Sequence, residues 1–130
     1  MTPQQFVRQL SRIDTYIRFA EENLKQLESD MLNIGSPGFE QSFNPNRSTN
    51  APYVKVLEKK MEVEQRLSHL IDTRQQVLDA IYDLEDNDER VILLYHYRHN
   101  MTWREIGREM FMDHKTVMRK HELGLQHLKF

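Results

Sequence analysis

Apolar residues fall at Phe6, Leu10, Ile13, Ile17, Ala20, Leu24, Leu27 and Met31, in alternating steps of four and three. That spacing holds one stripe on one face of a helix and predicts a coiled-coil-like element over residues 1–32. Pro3 suits its first turn, where a missing N–H costs nothing, and the helix is expected to stop near Asn33 to Gly35. Residues 33–52, NIGSPGFEQSFNPNRSTNAP, hold three of the four prolines and two of the four glycines, so they predict a long flexible connector. Phe39 and Phe43 within it, with Tyr53 beside it, are expected to anchor that connector on the helices.

A second helix is predicted over 53–84, where Tyr53, Val56, Val63, Leu67, Leu70, Val77, Ile81 and Leu84 keep the three-four rhythm and Lys60 and Arg74 occupy two of its positions. Leu57, Met61, Ile71 and Leu78 widen that apolar face, which implies more than one packing neighbour. At about 1.5 Å per residue this helix spans roughly 48 Å, and the two long helices most simply fold back as an antiparallel arm. The same heptads also permit pairing between two chains.

The rhythm shortens beyond Leu84, and residues 85–130 divide into three short helices. Asp86, Asn87 or Asp88 can cap the first, Glu89 to Arg98, which is expected to bury Val91, Leu94 and either Tyr95 or Tyr97. Thr102, with Glu105 three residues on, reads as a capping box opening a helix that ends near Met110. Asp113 caps a last helix from His114 to Leu128, with Val117, Leu125 and Leu128 facing inward. No alternating strand pattern occurs, and the expected fold is all-α.

Composition narrows the functional classes. A chain of 130 residues, 38% hydrophobic and 29% charged, suits surface-rich helices rather than a large catalytic domain. Its longest apolar run, Val91 to Leu94, is too short to span a bilayer, and MTPQQFVRQL lacks the pattern of a signal peptide, so a cytoplasmic location is expected. The absence of cysteine excludes disulfides and thiolate metal sites. His96 and His99, three apart, and His114 and His121, seven apart, have no carboxylate placed to complete a metal site. No metal, cofactor or enzymatic activity is therefore expected. The net charge of −2 conceals an asymmetry: residues 1–97 carry −5, whereas residues 98–130 carry +3 and four of the six histidines. A basic segment on an acidic body suits one that faces nucleic acid.

The span ERVILLYHYRHNMTWREIGREMFMDHKTVMRKHELGLQHL resembles region 4 of sigma-70-type sigma factors, in the order lead helix, threonine-capped helix, turn and recognition helix ending in paired leucines. Gly107 falls where two helices of such a motif approach closely, but Phe111 and Asn100 stand where relatives favour glycine, and Lys120 stands at a usually apolar site. The whole chain, with arm, connector, long helix and sigma-like end, is similar to the ArpU and RinA type of phage and prophage late transcriptional regulators. That resemblance implies a helix-turn-helix in a bacterial host cell whose last helix enters the major groove. His114, Lys115, Met118 and Arg119 would then face base edges. Thr102, Trp103, Arg104, Thr116, Lys120 and His121 would lie near the backbone, Trp103 having core packing as its alternative.

The function expected is sequence-specific binding of double-stranded DNA in transcription regulation, with homodimerisation through the arm and RNA polymerase as a further candidate partner. An adaptor or anti-sigma-like protein that binds polymerase is the alternative, and a small subunit of viral DNA packaging the third.

Overall fold

The computed structural model describes residues 1–34 and 51–130, and every element in them is helical. The predicted first helix forms in two pieces, α1 (Pro3–Arg8) and α2 (Leu10–Ile34). Thr2 opens α1 with a capping box of the same spacing as Thr102 and Glu105: its hydroxyl accepts the Gln5 N–H at 3.1 Å, and the Gln5 side chain accepts the Thr2 N–H at 2.9 Å. The second long helix is α3 (Ala51–Tyr82), which ends two residues before the predicted Leu84. Most of the expected connector, with Phe39 and Phe43, lies outside the described residues; Tyr53 is half-buried.

The helices contribute to two compact units, residues 15–71 and residues 1–14 with 72–130. In the first, α2 and α3 pair within one chain as the antiparallel arm. Ala20, Leu27 and Val63 are buried at its centre, with Leu24, Val56 and Leu67 packed against them. These are stripe residues from both helices, spaced as the heptad pattern requires. Lys60, in a stripe position, reaches Glu64 at 3.6 Å one turn away. Leu57, Met61 and Ile71 do not extend the buried face as expected: all three are exposed, as are Val54, Tyr16 and Phe19. They lie about 100° around the helix from the buried stripe, and one neighbouring helix covers only one such stripe.

In the other unit the expected boundary moves. The first turns of the heptad helix pack with the carboxy-terminal segment: Phe6 stacks on Phe130 with ring centroids 4.4 Å apart, and Asp14 receives Arg74 at 2.9 Å and Arg98 at 3.8 Å. Residues 85–130 are thus not a self-contained module. Val7, Leu10, Val77 and Ile81 are fully buried here. Leu78 is also buried, as the widened stripe predicts.

The short helices follow. α4 (Asn87–Leu93) is capped by Asp86, whose carboxylate accepts the Glu89 N–H at 3.0 Å, and it continues as a π-helical turn over Leu94–Arg98. Tyr97 is buried, as one of the two expected alternatives, but Ile92 and Leu93 are buried in place of the expected Val91 and Leu94, which are only half-buried. The helix starts at Asn87 rather than Glu89, with Asp88 and Glu89 in its first turn, and the residues buried on it are those that meet α6 and the cluster of Ile106 and Val117. Then come α5 (Trp103–Met110) and α6 (His114–His127). Ile92, Ile106 and Val117 form a fully buried cluster, closed by Tyr95, Met101, Trp103, Met110 and Met112. Glu89, also buried, accepts the His127 Nδ1–H at 2.8 Å.

Candidate functional site

The site grows from how α5 meets α6. Thr102 and Glu105 form the expected capping box: the Thr102 hydroxyl accepts the Glu105 N–H at 3.2 Å, and the Glu105 carboxylate accepts the Thr102 N–H at 3.4 Å. That box fixes the start of α5, and the turn after Met110 fixes its end. Phe111 adopts the left-handed conformation at φ 56°, ψ 45°, and the Met112 N–H returns to the Gly107 carbonyl at 2.8 Å. The chain folds back so closely that a Cβ on Gly107 would stand 2.6 Å from the Met112 carbonyl oxygen. Asn100 takes the same left-handed conformation before α5. Both positions where the resembling family favours glycine therefore adopt positive φ, with asparagine and phenylalanine in its place. Asp113 stands at the N-cap of α6 but makes no side-chain bond to a helix amide; its carboxylate lies 3.2 Å from His114 Nδ1.

Helical geometry then sorts the side chains. At about 100° per residue, Lys115 and Arg119 fall on the side of α6 opposite Val117, and Arg104 and Arg108 on the side of α5 opposite Ile106. All four are exposed, and none forms an ion pair among the described residues. Met118 is exposed beside Lys115, while His114 and Thr116 are half-buried. Arg104, Arg108, Phe111 and His114 line one shallow groove with Gly107 at its floor. Arg108 and Phe111 were not among the expected contacts. The signal for Arg108 was its one-turn spacing from Arg104; for Phe111 it was a bulky residue at a turn position that favours glycine.

Three expected backbone contacts sit elsewhere. Lys120 is held by Asp88 at 2.6 Å, which explains how a usually apolar site carries a lysine: its stem packs while its charge meets the acidic start of α4. His121 is 3% exposed and its Nε2 lies 2.7 Å from the Tyr97 hydroxyl, which removes it from the surface. Trp103 packs inward, stacked on His96 at 3.8 Å, and so takes the alternative reading of its role. The Thr102 hydroxyl is engaged in its capping box. His96 is fixed beneath Trp103 by its Nδ1–H, which donates to the Met101 carbonyl at 2.8 Å. Among the described residues no group of three or more His, Cys, Asp or Glu is arranged to hold a metal, and no helix is long and apolar enough to cross a membrane.

Burial sets the protonation of the Tyr97–His121 pair. It pushes the phenol above its ordinary value and holds the imidazole below its own, with nearby His96 adding to the lowering and Glu122 opposing it. The phenol therefore keeps its proton and donates to Nε2, leaving the ring hydrogen on Nδ1, 3.4 Å from the Glu122 carboxylate. A histidine depressed in the folded state takes its proton first when unfolded, so its contribution to stability is complete above about pH 6.5 and declines as pH falls below that value. The thermal midpoint is expected to drop between pH 7 and pH 5.5 by clearly more in the wild type than in His121→Gln. Equal drops, read by circular dichroism, would show that this pair does not set acid sensitivity.

No curated protein and no solved structure matches the sequence. A family model matches residues 9–128, from the junction of α1 and α2 to the buried Leu128, and the chain belongs to that family, described as protein of unknown function (DUF722).

Proposed function

We propose that this protein is a sequence-specific DNA-binding regulator of transcription, acting in the cytoplasm of a bacterial host, that reads the major groove with α6. The observation that carries this reading is the outward face of α6: Lys115 and Arg119 stand one turn apart, opposite the buried Val117, behind a tightly closed turn. Lysine and arginine donate to guanine O6 and N7, and a rigidly seated helix presents them at a defined angle to base edges. Met118 and His114 flank them, with Thr116 at the edge of the same helix. Arg104, at the start of α5, and Arg108 suit the phosphates alongside. The resemblance to the ArpU and RinA regulators and to sigma region 4 supports the same reading, and no enzymatic activity is proposed.

The test is selection of fragments from sheared bacterial genomic DNA by the purified protein at about 0.15 M salt, where screening is physiological. Enrichment of one sequence supports the reading. No enrichment, with retention of RNA polymerase from the same cells, favours the polymerase-binding adaptor instead.

The arm supplies a second element of the proposal, a homodimer. Val54, Leu57, Met61 and Ile71 form an exposed apolar stripe along α3, beside the one that α2 already covers. A second copy of the same arm offers the matching stripe, and burying such a patch is favourable. Light scattering is expected to give twice the 15.7 kDa of one chain. Leu57→Glu with Met61→Glu is expected to return the protein to one chain without loss of helicity; a wild type already monomeric at about 100 μM removes the dimer.

A further inference from the structure

Phe111 is 96% exposed, and it holds a left-handed backbone conformation that phenylalanine adopts only under strain. Its ring therefore does nothing visible for folding: it packs on no core, and glycine would take the same turn without the strain. Arg104 and Arg108, exposed one turn apart, line the same groove, together with His114 and the Asp113 carboxylate that lies 3.2 Å from its Nδ1. An apolar ring beside two guanidinium groups matches a surface that offers an apolar group next to anionic ones. A DNA duplex offers that combination in its major groove, where thymine carries a C5-methyl and phosphates line both edges.

We propose that Phe111 is a specificity-determining residue that contacts a thymine methyl group at one edge of the bound site, with Arg104 and Arg108 on the adjoining phosphates. This inference rests on the DNA-binding reading and adds to it a base preference supplied by the turn rather than by α6. Burying one methyl against the ring corresponds to roughly a fourfold change in affinity.

The experiment uses the full-length protein and a 30-base-pair duplex cut from the most enriched genomic fragment. The duplex is made once with thymine and once with deoxyuridine throughout, which removes only the methyl groups. Wild type is expected to bind the deoxyuridine duplex at least about fourfold more weakly. Phe111→Gly is expected to melt a few degrees higher than wild type, since its turn is relaxed, yet to bind the thymine duplex about fourfold more weakly and to show a correspondingly smaller deoxyuridine penalty. Phe111→Leu, apolar but still strained, is expected to keep most of the affinity. Unchanged affinity in Phe111→Gly would overturn the contact while leaving the DNA-binding reading intact. An equal loss on both duplexes would show that the ring meets something other than a methyl group. Failure of the wild type to bind any enriched duplex would overturn both.

Discussion

Gly107→Ala is expected to destabilise the fold by about 1–3 kcal/mol, although alanine is the better helix former by about 1 kcal/mol. The sign is set by the Met112 carbonyl oxygen, 2.6 Å from where the new Cβ would stand. Because that atom belongs to the backbone of the turn, relief requires α5 and α6 to move apart, loosening the cluster of Ile92, Ile106 and Val117. Gly124 is the control: a Cβ there meets Glu89 Cβ and Leu93 Cδ1 at 3.4 Å, and a small give in those side chains accommodates it. Thermal unfolding should therefore separate the two alanine variants, with Gly107→Ala well below wild type and Gly124→Ala near it. A wild-type midpoint in Gly107→Ala would mean that the turn does not press on this glycine.

The double variant Lys115→Ala, Arg119→Ala is expected to lose at least about thirtyfold in affinity for a selected DNA site, since each bidentate contact to guanine is worth about 1–3 kcal/mol of discrimination. Both side chains are exposed and lie opposite the buried face of α6, so far-UV circular dichroism and the thermal midpoint should stay near wild type. The weakening should also reduce the dependence of binding on salt, because two cations leave the interface. Lys120→Ala provides the contrast. Its charge is spent on Asp88, so its loss should affect stability modestly and DNA affinity little. If the double variant binds as wild type does, α6 is not the reading helix.

Local chemistry was the part of the site most open to reading in advance. The Thr102–Glu105 box, the close approach at Gly107 and the inward set Val117, Leu125 and Leu128 all follow from short-range rules and are all present. The positive φ at Phe111 was not legible, because a phenylalanine at a turn position that favours glycine leaves open how the turn is built, and only backbone geometry decides it. His121 and Lys120 were not legible. On a list of polar residues each looks like a surface group, yet one meets Tyr97, 24 residues away, and the other meets Asp88, 32 residues away. No local pattern announces such partners, since they depend on how α4 and the π-helical turn after it lie against α6.

The same division runs through the arm. Heptad spacing by itself determined that two long amphipathic helices form, where each begins and ends to within a few residues, and which stripe is buried, because a helix carries its periodicity in its own sequence. It could not decide whether those stripes pair within a chain or between chains, since both pairings bury the same residues. Tertiary structure decided that they pair within the chain. It also set the unit boundary inside α2 and α3 by bringing Phe6 to Phe130 and Asp14 to Arg74, and left Leu57, Met61 and Ile71 uncovered. The physical reason is range: propensity, capping and periodicity act over a turn or two of helix, whereas burial and ion pairing depend on which distant surfaces the folded chain brings together.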